Sequence, residues 1–276
     1  MKPGVQIRKV DRQDGVALGI VVWFIAGMAL LVSGIVAEAR IDTKMAQLHY
    51  FKAKAAAAGD GAIQLVLAEQ VARKANGIGG MSKTTDVQIG GNNVALRIIP
   101  AGLLVNISTE NIKGLTTMFS RGLASVSNDN VRSRRSPDSL ARAVIRYRDG
   151  EGGRRGTQFH SLEDLMRVPG VDRAIFDAVR DYIVIEGLAG DFTGQNQDLG
   201  TRLRNVEAAM SGDGAMLNGT LQHMASELRI DALVEVGDRL WLRRRWVKIE
   251  PDSREGLPWK VVRSEPPRTL NKERPS

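Results

Sequence analysis

The run from Val16 to Val36, VALGIVVWFIAGMALLVSGIV, contains no ionisable residue and is closed by Asp14 on one side and Glu38 on the other. The hydrocarbon core of a bilayer takes about 20 apolar residues at helical rise. A single membrane span is therefore the first expectation, and every later segment is placed relative to a membrane. A secretory signal is the alternative, because Ala37-Glu38-Ala39 passes as a small-residue cleavage site. Signal h-regions run about 7 to 15 residues, however, and this run is longer. The leader carries Lys2, Arg8, Lys9 and Arg12. Positive residues beside a span stay cytoplasmic, so the bulk of the chain is expected outside the inner membrane.

Composition removes several chemistries. The 276 residues contain no cysteine, which excludes disulfides, thiol nucleophiles and cysteine-based zinc sites. The histidines, His49, His160 and His223, are dispersed and show no metal-ligand spacing. Lys and Arg outnumber Asp and Glu by 39 to 31, so nucleic acid, anionic lipid and an acidic protein face are all admissible partners. Aromatic content of 5% supplies a base-stacking platform poorly. No Ser, His or acidic residue falls in a catalytic constellation, and an enzyme is not expected.

Beyond the span the helical pattern continues. Met45, Leu48, Phe51, Ala55, Ile63, Val66, Leu67 and Val71 recur at helical intervals in alanine-rich sequence. Gly59-Asp60-Gly61 is expected to weaken or bend this helix, and Asn76-Gly77 to stop it. The period then changes to two: Val87 and Ile89, then Val94, Leu96 and Ile98, flank Gly90-Gly91-Asn92-Asn93 as a hairpin ended by Pro100-Ala101-Gly102. Leu103 to Ile107 reads as a short strand, and Glu110 to Phe119 as a helix presenting Ile112, Leu115 and Phe119 inward. After a polar, basic stretch with Arg132, Arg134 and Arg135, Ser136-Pro137-Asp138-Ser139 opens a helix buried through Leu140, Val144, Ile145 and Tyr147. The glycine-rich stretch Asp149 to Gly156 lacks the Gly-Lys-Ser/Thr of a phosphate loop.

From Phe159 to Ile185, two short helices are expected around the turn Pro169-Gly170-Val171-Asp172, a helix-hairpin-helix-like unit. In DNA-binding units of this kind a second glycine lets backbone N–H groups meet a phosphate; here Asp172 stands in that place, which favours packing or partner docking. Leu199 to Met210 gives a further helix. Leu228 to Val236 and Arg239 to Ile249 form a hairpin around Gly237-Asp238, with a bulge expected near Arg243-Arg244-Arg245, where the apolar phase changes. Trp259 to Val262 adds a strand, and Pro266 to Ser276 reads as a frayed basic tail. Strands on both sides of a helical block imply one sheet interrupted by an insertion.

Gly15 stands directly between the charged leader and Val16, and in this the chain resembles the prepilin class of leaders, in which a membrane-embedded peptidase cuts after a glycine and the apolar segment is retained. The resemblance implies cleavage between Gly15 and Val16. Pilins usually carry a glutamate near the start of the mature chain, and here that place holds Ile20. A buried carboxylate is costly unless paired, so an apolar residue suits a subunit with no neighbour above it. Asn106-Ile107-Ser108-Thr109 and the pattern FxSLEDLxxVPGV, from Phe159 to Val171, are similar to segments of the K-type minor pseudopilins of type II secretion systems.

That resemblance implies an α+β, pilin-like fold: a long N-terminal helix, membrane-spanning in its first half, packed on an antiparallel sheet with a large all-helical insertion. The expected divisions are leader 1–15, span 16–37, pilin-like helix and first strands 38–107, insertion 108–225, last strands 226–264 and disordered tail 265–276. It further implies a non-enzymatic subunit that caps the tip of a periplasmic pseudopilus and helps initiate its assembly. The implied partners are minor pseudopilins of the I and J types, the pseudopilus, the inner-membrane secretion platform and the prepilin peptidase; no nucleic acid is expected. Family members can bind calcium, but no residue here matches a calcium loop and no metal ligand is assigned. The other reading is a membrane-anchored DNA receptor of the competence type, which the arginines at 132, 134, 135, 142, 146, 148, 154 and 155 favour and Asp172 disfavours.

Overall fold

The structure is a computed structural model that describes residues 14–75, 84–124, 136–150, 156–185, 199–211, 227–250 and 256–270. The leader before Asp14, Asn76-Gly77 and the arginines at 132, 134, 135, 154 and 155 lie outside the described residues. The chain divides into two compact units, Met1–Phe51 and Lys52–Ser276. Helix α1, Asp14–Ala75, contributes to both. In the first unit its side chains from Leu18 to Tyr50 are exposed, Trp23, Leu30 and Phe24 among them.

In the second unit α1 buries Ala55, Ala58, Ala62, Ile63, Val66 and Leu67. These positions recur every three or four residues and make one face. That face meets a six-stranded sheet built from β1 (Thr84–Ile89), β2 (Asn92–Pro100), β5 (Glu227–Val236), β6 (Arg239–Ile249), β7 (Trp259–Ser264) and β8 (Arg268–Leu270). The order is β1-β2-β5-β6-β7, all antiparallel, with β8 pairing β6 beside β7. The apolar alternation of Leu228, Ile230, Ala232, Val234 and Val236 falls on one face of β5 as the sequence predicts. Each buried Leu, Ile or Val on that face contributes about 1.5–3 kcal/mol.

The glycines of Gly59-Asp60-Gly61 do not interrupt α1, which is helical throughout. They mark close approach instead. A Cβ at Gly59 would lie 2.8 Å from the Arg243 Cβ and 3.5 Å from the Ala232 Cβ, so the sheet passes where any side chain would intrude. Asp60 between them bonds the arginines of β6: Arg243 Nε at 2.7 Å, Arg243 Nη2 at 3.1 Å and Arg245 Nη2 at 2.7 Å. Sequence reads such a triplet as a helix breaker; the structure uses it as a seat for the sheet.

The chain leaves the sheet at Pro100 and returns at Glu227, and the next residue, Leu228, is the partner of Pro100 on the neighbouring strand. Everything between is therefore an excursion from one end of a β2–β5 pair. It contains a 3₁₀ turn (Ala101–Leu103), β3 (Val105–Asn106), α2 (Ile112–Ala124), α3 (Pro137–Asp149), a second 3₁₀ segment (Leu162–Arg167), α4 (Arg173–Val179), β4 (Ile183–Val184) and α5 (Leu199–Ser211). Its core gathers Leu103, Leu115, Phe119, Val144, Phe176 and Val206, and Trp246 of β6 joins it from the sheet.

Four expectations change. The short strand near Leu103 is only Val105–Asn106 and pairs in parallel with β4, so 101–107 belongs with the helical block and the block begins before 108. The helix expected at Glu110 starts at Ile112, because the Asn111 side chain accepts from the Gly114 N–H at 2.9 Å. The bulge is not in the β5–β6 hairpin, whose register is unbroken; it lies one step later, between Trp246 and Val247 against β7. The apolar phase changes at Arg243-Arg244-Arg245 for another reason: both faces are buried and the arginines are neutralised where they stand. Finally, the stretch 265–270 is no frayed tail, since Arg268, Thr269 and Leu270 pair with Leu242, Trp241 and Leu240.

Candidate functional site

Three features carry the candidate chemistry: the apolar part of α1, the turn at Pro169 to Asp172, and a charged seam between the sheet and the helical block. In the first unit Gly15 and Val16 lie in the opening turns of α1, and Ile20 is exposed along with its neighbours. Among the described residues this is the one helix long and apolar enough to cross a membrane. From Leu18 to Val36 the bare side chains are apolar apart from the Ser33 hydroxyl and the Trp23 indole N–H, none is ionisable, and Val22, Ile25 and Leu31 among them cost free energy in water and none in lipid.

The turn at Pro169 to Asp172 lies between a 3₁₀ segment and a seven-residue helix, where two short helices were expected. Ser161 and Asp164 form a capping box, with the Asp164 carboxylate accepting from the His160 and Ser161 N–H groups at 2.9 Å each. The segment that follows is 3₁₀ rather than α-helical. Gly170 then takes φ +100°, a conformation open to glycine and strained for other residues. Asp172 caps α4 by accepting from the Ile175 N–H at 2.9 Å. A DNA phosphate would need that donor, and a carboxylate already holds it. With α4 only seven residues long, the unit is a packing element: Val168, Val171, Ile175 and Phe176 are all buried in the block's core.

The seam lies on the face of β5 and β6 turned away from α1. Asp231 and Arg244 are directly opposite in the hairpin, and both are almost fully buried. Arg244 donates to Asp231 through Nε at 2.7 Å and Nη2 at 2.8 Å, and through Nη1 to Asp181 Oδ1 at 2.8 Å. Arg229, fully buried, donates from Nη1 to the Asp181 backbone carbonyl at 2.6 Å and lies 3.2 Å from the Asp231 carboxylate. Arg268 of β8 donates to Asp181 Oδ1 at 2.8 Å, and Arg180 lies 3.3 Å from the buried Glu265. Arg180 also stands over the Phe176 ring at 5.5 Å.

Burial works against every charge in this group, and the geometry shows what offsets it. Burial alone would raise the Asp231 carboxyl, but the Arg229 and Arg244 guanidinium groups hold it below the usual carboxylate range. Asp181 is likewise held well below that range, against burial, by Arg244, Arg268 and Arg229. Burial and then repulsion from Arg244 bring Arg229 down to about 10. Arg244, despite its burial, is raised by Asp231 and Asp181. Within the block, burial and then Glu207 push Tyr182 up to about 12. Asp181, Asp231, Arg229, Arg244 and Tyr182 therefore keep their ordinary charge at neutral pH. Such a set can fix the position of one element on another.

Sequence reasoning named Arg244 only as part of an expected bulge and read no ion pair at the seam. One signal was present: once Gly237-Asp238 is read as a two-residue turn, every partner in the hairpin follows, and Asp231 falls opposite Arg244. Asp181, Glu265 and Arg268 reach the seam from distant segments and leave no local mark. Among the described residues no group of three or more His, Asp or Glu side chains is placed to hold a metal ion. The seam carboxylates of Asp181, Asp231 and Glu265 already face arginines, so the calcium implied by the resemblance finds no fitting donor set there.

No family model and no curated protein matches the chain. Among solved structures, it is similar to a chain of the GspK-GspI-GspJ complex from the enterotoxigenic Escherichia coli type 2 secretion system, with 11% sequence identity and a TM-score of 0.46. The alignment covers 83% of this chain and 99% of that one.

Proposed function

We propose that the chain is a K-type minor pseudopilin of a type II secretion system, a non-enzymatic subunit placed at the tip of a periplasmic pseudopilus. In this reading a prepilin peptidase cuts after Gly15, Val16 becomes the first residue, and the retained part of α1 sits in the inner membrane with its N-terminus cytoplasmic. The rest of the chain is periplasmic and meets minor pseudopilins of the I and J types. The helical block, which leaves and re-enters the sheet at the Pro100–Leu228 pair, is bulk that a repeating stack of subunits has no room for. The subunit therefore helps to start the pseudopilus and closes its end.

The observation that carries the reading is the character of α1. One uninterrupted helix is bare and apolar from Leu18 to Val36, and from Ala55 to Leu67 it is part of a folded core. A catalytic or receptor domain merely tethered to a membrane has no use for an anchor that is also its own core helix. Residue Ile20 fits the terminal position, because a subunit with nothing above it has no neighbouring ammonium for a buried carboxylate to pair with. N-terminal sequencing of the membrane-extracted protein tests the proposal. A chain beginning at Val16 supports it; an intact Met1, or a start at Arg40, overturns it.

A further inference from the structure

Residues 180 and 181, directly after α4, carry opposite charges, and so do residue 265, directly after β7, and residue 268, the first of β8. The pairs are matched in polarity: Arg180 faces Glu265 at 3.3 Å and Asp181 faces Arg268 at 2.8 Å. We propose that Glu265–Leu270 is a clasp whose two ion pairs of opposite sense, Arg180 with Glu265 and Asp181 with Arg268, set the attitude of the helical block on the sheet. The proposal rests on the pseudopilin reading only for what that attitude serves, since it decides where the bulky block stands relative to the next subunit.

Each part of the segment has a hold on the sheet. The Glu265 N–H donates to the Arg244 carbonyl at 3.0 Å, and Arg243 donates to the Glu265 carbonyl. Pro266 and Pro267 follow; their fixed φ narrows the freedom the linker has to lose on docking. β8 then continues along the edge of β6 that β7 has left, pairing residues 268–270 with 240–242. A strand of three residues holds poorly by its ladder alone. What the ladder lacks, the ion pairs supply: Glu265 is nearly buried, and Asp181 is shared between Arg268 of the clasp and Arg244 of the sheet. Polarity also makes the clasp selective, because a block seated one residue out of place would set Asp181 against Glu265 or Arg180 against Arg268. The pair Arg263–Glu163, at 3.4 Å with Glu163 half exposed, also joins β7 to the block and provides an internal control of the surface kind.

Hydrogen exchange on the full chain in detergent micelles tests this. Arg268→Ala is expected to raise exchange at least tenfold in 181–185 and 240–242, while 84–99 in the β1–β2 hairpin and the Arg263→Ala control stay unchanged. Arg268→Lys, which keeps the charge, restores most of the protection, and Arg268→Ala combined with Asp181→Asn exchanges like Asp181→Asn alone. Unchanged exchange in Arg268→Ala, equal acceleration in the β1–β2 hairpin, or a multiplicative double variant each overturns the clasp. The two readings fail separately: a loosened block in a protein whose N-terminus is still Met1 keeps the clasp and removes the pseudopilin.

Discussion

Two glycines in one helix, two residues apart, should respond to the same substitution with opposite sign. Replacing a glycine inside a helix by alanine ordinarily stabilises by about 0.5–1 kcal/mol through backbone entropy. At Gly61 a new Cβ would meet only the Ile89 Cγ2 at 3.5 Å, an ordinary contact, so Gly61→Ala should realise that gain. At Gly59 the new Cβ would stand 2.8 Å from the Arg243 Cβ and 3.0 Å from its Cγ. Arg243 cannot easily retreat, because its backbone pairs with Ala232 and its guanidinium is held by Asp60. Overpacking of this kind costs about 1–3 kcal/mol. Less the helical gain, Gly59→Ala should be destabilising by up to about 2 kcal/mol. Thermal unfolding of the full chain in detergent reads the difference, at roughly 2–4 °C per kcal/mol for a unit of this size. If Gly59→Ala raises Tm as much as Gly61→Ala does, the sheet is not seated on Gly59 and the description of the helix–sheet contact is wrong.

Other expectations follow from the seam and the turn. Asp231→Asn leaves Arg229 and Arg244 buried without their nearest carboxylate, and should lower stability by about 3–5 kcal/mol in denaturant unfolding. The pH dependence has a definite sign. Asp181 and Asp231 have folded-state values below their unfolded ones, so the unfolded chain binds protons first on acidification. Their contribution is complete above about pH 4 and is lost as pH falls through the folded values, so the Tm profile should drop below about pH 4. Asp231→Asn should flatten that drop. Asp172→Ala removes the cap on the Ile175 N–H and should cost about 1 kcal/mol, read as faster exchange across α4.

The elements legible in the sequence were those whose signal is local and apolar. The uncharged run, the helical spacing of Ile63, Val66 and Leu67, the alternation on β5 and the Ser136-Pro137 helix start all depend on residues within a turn or two of each other, and all are present. Ser136 accepts from the Ser139 N–H at 3.2 Å, as its place before a proline suggests. What escaped was set by distant partners. Gly59 looks like a flaw in a helix until Arg243 is placed against it. Arg268 looks like part of a basic tail until Asp181, far back in the chain, is placed beside it. Arginine in a strand is read as exposed, yet Arg229 and Arg244 are among the most buried side chains of the protein, because the excursion between β2 and β5 folds back over the sheet's second face.

That covering explains why the seam is charged at all. A block inserted between neighbouring strands is tied to the sheet at one end only, by the Pro100–Leu228 pair, and would be free to rock about that point if it met the sheet through hydrocarbon alone. Apolar contact is non-directional and tolerates sliding. Guanidinium–carboxylate contacts do not: Arg244 satisfies Asp231 through two N–H groups and Asp181 through a third only when sheet and block stand in one relation. Buried ion pairs add little net stability over a well-packed apolar substitute. What they add is direction: the seam holds the block in one position on the sheet, where apolar packing over the same faces would leave it free to slide.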